Sequence, residues 1–186
     1  DYLAQHIFSP AGMANTGFPG LKPAEGIVAA NGYEPGDLFG HDDYGAPDAK
    51  PAPSWVEKGA GGLITTVPDL QTWFRALQAG GLLSDSTREV YFNTGVATKP
   101  YRPGRYDNMD IEQTRSTYFG WEWISTSGQR FWERGGSTNG YFALMRYHPD
   151  NETMVIILSN HFYFDENDNF IRGPIIQALS QALQEN

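Results

Sequence analysis

The clearest patterning of apolar and polar positions lies between Phe131 and Asn160, in the run FWERGGSTNGYFALMRYHPDNETMVIILSN. Phe131, Trp132 and Glu133 read as a strand that leads into a break at Gly135-Gly136. Tyr141 to Tyr147 reads as a second strand, and Met154 to Leu158 as a third, dense in the aliphatic and β-branched residues that pleated, buried surfaces favour. His148-Pro149-Asp150-Asn151 supplies the turn between them, because proline presets φ and short polar side chains bond to their own backbone. Upstream, Tyr118 to Ser125 reads as a strand joined to Phe131 by a Ser127-Gly128 turn. Downstream, Ile175 to Leu183 has helical spacing, with Ile175, Ile176, Leu179 and Leu183 expected to face the sheet. Together these predict an α+β fold: an antiparallel sheet with flanking helices.

The first two thirds are patterned differently. Asp1 to Phe8 reads as a helix with Leu3 and Ile7 on one face, stopped by Ser9-Pro10. Thr16 to Trp55 is rich in Gly, Pro, Asp and Ala, and is expected to be a long excursion of the kind that rims a site. Thr66-Val67-Pro68-Asp69 opens a helix with a threonine cap and with proline and aspartate in the first turn. Its apolar stripe is Leu70, Trp73, Phe74 and Leu77, and Gly80-Gly81 ends it. Ser84 to Phe92 predicts a shorter helix, and Thr94 to Thr114 a polar loop. The expected organisation is one unit over 1–186, with a helical and loop region at 1–117 and the strands and last helix at 118–186.

Composition narrows the function classes. A chain of 186 residues with 40% hydrophobic and 14% aromatic residues suffices for a sizeable core. The net charge of −9 and scattered basic residues argue against nucleic-acid binding, which needs clustered Lys and Arg. With no cysteine there are no disulfides or zinc–thiolate sites. No apolar run approaches membrane-spanning length. His41-Asp42-Asp43 is too small a cluster for a metal site. Asp165 to Asn169 opens like a calcium loop, but Phe170 and Ile176 stand where glycine and glutamate are needed. Neither a metal nor a cofactor is expected.

Two adjacent glycines at a strand's end cost conformational entropy. Gly135-Gly136-Ser137 therefore marks either a bend or bulge, or a place where a ligand approaches the backbone and N–H groups meet an anion. The surrounding residues resemble a known group. Arg134-Gly135-Gly136-Ser137-Thr138-Asn139-Gly140-Tyr141-Phe142, then Pro149-Asp150 and Ser159-Asn160, is similar to the end of the penicillin-binding/serine β-lactamase-like hydrolases, in particular class C-like esterases and D-amino-acid peptidases. In the same order, Ile7 to Phe18 resembles that group's PLGM…T.F segment, and Ala30-Asn31-Gly32-Tyr33 its A.GY. Gly59 to Leu70 resembles its AGGL.ST..DL, and Tyr118 to Trp123 its YG.GW.

The resemblance implies a serine hydrolase that transfers an acyl group from a small amide or ester substrate, in a periplasmic or secreted setting. It places substrate binding at Arg134, Gly135, Gly136 and Ser137, with the Ser137 backbone N–H completing an oxyanion hole. Arg134 stands where the group has Lys or His. Arginine pairs with a carboxylate but does not release its proton, so it suits anchoring rather than proton relay. The plain alternative is an arginine paired with Glu133, Glu122 or solvent. The group's nucleophile lies in Ser-x-x-Lys, and no serine here has lysine three residues later. Tyr91-Phe92-Asn93 and Tyr106-Asp107-Asn108 match its Tyr-x-Asn in letters but fall in the wrong order. The expectation is a C-terminal fragment, inactive alone and carrying no catalytic residue of its own. It would associate as a homo-oligomer through the exposed edge of its last strand. The rival reading is a non-catalytic binding or assembly module built on the same segment.

Overall fold

The computed structural model describes residues 2–18, 30–32, 61–97, 111–117, 120–126, 129–138 and 140–160, with positions 175, 178, 179 and 182. A π-helical turn, Ala4–Phe8, runs into α1 (Ser9–Ala11). Ser9-Pro10 does not stop this helix. Proline sits in the first turn of α1, where a missing N–H costs nothing, and Gly12 at φ 76° ends it instead. Helix α2 (Val67–Gln78) is capped as its sequence implies: Thr66 Oγ1 accepts the Asp69 backbone N–H at 3.2 Å. Its stripe turns inward, with Phe74 and Leu77 buried and Leu70 and Trp73 half-buried, and Gly80 takes a positive φ just beyond its end. Helix α3 (Asp85–Asn93) is capped by Ser84, whose Oγ accepts the Thr87 N–H.

Six strands, β1 (Gly95–Ala97), β2 (Ile111–Thr117), β3 (Glu122–Thr126), β4 (Gln129–Thr138), β5 (Tyr141–His148) and β6 (Thr153–Ser159), form one antiparallel sheet in sequential order. The α+β expectation holds, with three corrections. The segments 95–97 and 111–117 are strands rather than loop, so the first 117 residues are not purely helix and loop. Neither carries a period-two signal; β2 is made a strand by pairing with β3, and β1 by pairing with β2, rather than by patterning. β3 begins at Glu122, after Gly120 turns the chain at φ 92°. Finally, β4 runs unbroken through Gly135 and Gly136 to Thr138.

Register sorts the side chains, since alternate residues share a face. Trp132, Tyr147, Met145 and Ile156 lie on the face that meets α2 and α3. There Phe74, Trp121 and Met145 form a buried cluster, with Trp73, Phe92, Trp132 and Tyr147 packed around it. Trp121 Nε1 donates to Tyr91 Oη at 3.2 Å, and Trp132 Nε1 donates to the Phe92 carbonyl at 3.3 Å, so α3 is pinned to the sheet by two indoles. The opposite face buries Ile124, Phe131, Phe142 and Leu144. The expected inward stripe of the last helix is not seen. Ile175, Ala178, Leu179 and Ala182 are helical and all exposed, while Ile176 and Leu183 lie outside the described residues. No described helix is long and apolar enough to cross a membrane.

Candidate functional site

Strand β4 outruns its neighbour. Its last pairing with β3 is Glu133 opposite Glu122, whereas its pairing with β5 continues from Trp132–Tyr147 to Thr138–Tyr141. Trp121 and Gly120 turn away at this point, Trp121 into the core against Phe74. Arg134 to Thr138 therefore form an overhang paired on one side only among the described strands. The four candidate residues lie on it in succession, opposite Met145, Leu144, Ala143 and Phe142.

Neither a bulge nor a left-handed backbone accounts for the two glycines. The β4–β5 register passes across them without a shift, which excludes a bulge, and neither has a positive φ. A Cβ added at Gly136 would meet nothing within 4 Å. The glycine thus leaves bare backbone facing open space, continued across the sheet by the small side chain of Ala143. That arrangement lets a ligand approach the main chain.

Arg134 shares a face with Gly136 and is exposed, and no ion pair holds it among the described residues. The plain alternative of an Arg134–Glu133 pair is not what forms. Glu133 points to the other face, where its carboxylate accepts from Arg146 Nε at 2.7 Å and both side chains are buried. That guanidinium also lies 4.1 Å from the Phe131 ring centroid. Next to it, His148 is buried beside Phe131 with no partner for Nε2 among the described residues. Burial, with help from Arg146, lowers its pKa to about 4. Ser137 is exposed. Of the two Tyr-x-Asn look-alikes, Tyr91 is engaged with Trp121, its phenol pKa raised by burial, and residues 106–108 lie outside the described residues. So do His41 to Asp43 and Asp165 to Asn169.

Two features escaped the sequence reading. The first is a buried node at Asp69, whose carboxylate accepts from the Asn15 backbone N–H and Thr16 Oγ1, both at 2.7 Å, and from Asn15 Nδ2 at 3.3 Å. Together with the Gly17–Ile64 bridge it ties residues 15–17 to the start of α2. The second is a short strap at 30–32. Tyr141 Oη donates to the Ala30 carbonyl at 3.0 Å and Asn160 Nδ2 to the Asn31 carbonyl at 2.9 Å, across the overhang's end of the sheet. Ala30 to Tyr33 and Ser159-Asn160 stood out in the sequence as motifs, but nothing there showed that they touch.

A model of the β-lactamase family matches residues 1–179. The chain belongs to the β-lactamase family. Among solved structures it is similar to a penicillin-binding protein from Bacillus halodurans, with 18% identity and a TM-score of 0.62 over 86% of this chain and 43% of that one. It is also similar to the D-amino acid amidase from Ochrobactrum anthropi SV3 complexed with D-phenylalanine (16% identity, TM-score 0.62, 97% of this chain and 53% of that one). A D-stereospecific amidohydrolase from Streptomyces sp. matches at 22% identity and a TM-score of 0.56, over 85% of this chain and 42% of that one. The chain thus spans about half the length of these β-lactamase-fold proteins. Comparison with curated protein sequences gives no match. At these identities the structural likeness establishes the shared fold.

Proposed function

We propose that this chain forms the sheet side of the active site of a serine hydrolase acting on small amides or esters, and that it contributes substrate-binding backbone and an anchoring cation but no nucleophile. The observation that carries this reading is the overhang of β4: open backbone at Gly136, with Arg134, exposed and in no ion pair among the described residues, two residues away on the same face. A serine hydroxyl supplied from outside this chain would add to the substrate carbonyl. The oxyanion would meet the Ser137 backbone N–H, the amine or alcohol would leave with a proton, and water would then release the acyl group. Arg134 would hold a substrate carboxylate bidentately. The D-amino acid amidase and amidohydrolase among the similar structures support an amide as the bond cleaved.

The absence of any Ser-x-x-Lys favours a second reading, a non-catalytic binding or assembly module using the same surface. The test is to combine this chain with a β-lactamase-family N-terminal half bearing Ser-x-x-Lys, and to compare Arg134→Ala with the parent. Hydrolysis whose loss on Arg134→Ala is confined to carboxylate-bearing substrates supports the enzyme reading. A loss shared equally by neutral esters makes Arg134 structural, and labelling of the isolated chain by a fluorophosphonate or penicillin probe refutes the claim that it lacks a nucleophile.

A further inference from the structure

The strap at 30–32 lies in sequence more than a hundred residues from what it touches, yet each of its residues is committed. Consecutive carbonyls, Ala30 and Asn31, accept from Tyr141 and Asn160. The register that sets Phe142 opposite Ser159 brings those two side chains to adjoining positions on β5 and β6. Gly32 is buried against the Tyr141 ring so closely that a Cβ there would come within 2.5 Å of Cε2 and 2.7 Å of Cζ. Contacts that short do not persist, so ring or strap must move by about 1 Å to restore ordinary packing. The ring has little freedom to move while its hydroxyl stays bonded to Ala30.

Tyr141 is the first residue of β5. It faces Thr138 across the hairpin and, by alternation, shares the face of Gly136 and Arg134. The hairpin's other flank has no β3 to steady it beyond Glu133 among the described strands. We infer that the Ala30–Gly32 strap, through Tyr141 and Asn160, is a positioning element that holds the overhanging tip of the β4–β5 hairpin and so sets where the Ser137 backbone N–H points. Gly32 is needed because only a residue without a side chain lets the strap lie flat on the Tyr141 ring. Tyr141 and Asn160 bond to the strap, and through them the strap acts on the site by way of the hairpin. The consequence for catalysis rests on the function proposed above; the mechanical role does not.

Amide hydrogen exchange of this chain, followed by mass spectrometry, separates the two. Tyr141→Phe, which removes only the hydroxyl, and Gly32→Ala are each expected to speed exchange at 134–142 by about tenfold or more, with the β5–β6 turn at 148–154 unchanged. The pair Gly32→Ala/Tyr141→Leu, which makes room for the new methyl, should exchange no faster than Tyr141→Leu alone. Unchanged exchange at 134–142, acceleration spread evenly over the sheet, or additive effects in the double variant would each overturn the inference. In the enzyme completed with a nucleophile-bearing half, Tyr141→Phe should lower kcat about tenfold or more while KM moves less than about threefold, as displacing a stabilising donor requires. A kcat left intact beside accelerated exchange refutes the catalytic consequence, and the absence of any hydrolysis refutes the proposed function while leaving the exchange result to decide the strap.

Discussion

Breaking the Glu133–Arg146 pair tests the reading of the buried sheet face. The two residues are cross-strand partners, 1% and 2% exposed, and the pair is stacked on the Phe131 ring. Charges about 4 Å apart attract by roughly 4 kcal/mol at an effective dielectric near 20. Desolvating each ion costs several kcal/mol, so the intact pair contributes little net stability. Removing one member is different, because it strands the other in the sheet. Glu133→Ala is therefore expected to destabilise the chain by about 3–5 kcal/mol, and Arg146→Met by a comparable amount. With a urea m-value of about 2 kcal/mol/M, each lowers the unfolding midpoint by roughly 1.5–2.5 M. The double replacement Glu133→Leu/Arg146→Met leaves no charge behind and should recover most of the loss. Urea unfolding followed by tryptophan fluorescence measures all three, since Trp132 adjoins Glu133. Single variants that each lose less than about 1 kcal/mol, or a double variant as unstable as the sum of the singles, would refute the argument.

Other perturbations follow from the same contacts. Asp69→Ala removes the acceptor for three donors on Asn15 and Thr16 and should cost about 2–3 kcal/mol, seen as a fall in Tm of roughly 5–10 °C with the far-ultraviolet spectrum retained below the transition. The His148 pKa is lowered to about 4 in the folded chain against an ordinary value of 6.5, so the unfolded chain binds the proton first. Its contribution is therefore complete above pH 6.5 and is lost as pH falls from 6.5 towards 4, by an amount on the order of 3 kcal/mol. His148→Phe should flatten that part of the urea-midpoint-versus-pH curve, and an unchanged slope would contradict it. We further propose that β6, paired only with β5 among the described strands, associates with a second copy at micromolar concentration, together with the exposed Ile175 and Leu179. Sedimentation showing a folded monomer would refute this.

Local chemistry was enough to locate much of the fold. Thr66 and Ser84 cap their helices because a short side-chain oxygen reaches a free N–H within one turn. The aliphatic runs of β5 and β6 form strands wherever they are placed, and the order of short motifs along the chain was enough to recognise the β-lactamase family. The position of Arg134 to Ser137 was legible for the same reason, since paired glycines announce themselves in a strand. What those glycines do was not legible. A bend, a bulge and a straight strand with open backbone have the same sequence, and only the continuous β4–β5 register with empty space beside Gly136 separates them. The partner of Glu133 was likewise undecidable from the chain, where Arg134 is adjacent but lies on the opposite face and Arg146 is thirteen residues away but directly across. β1 and β2 have no apolar alternation to betray them and exist as strands because β3 offers β2 a hydrogen-bonding edge and β2 in turn offers one to β1. The strap on Tyr141 and Asn160 depends on contacts more than a hundred residues apart in sequence, which local propensity does not encode. Such pairings follow from which surfaces meet when the whole chain packs, so they belong to the tertiary structure alone.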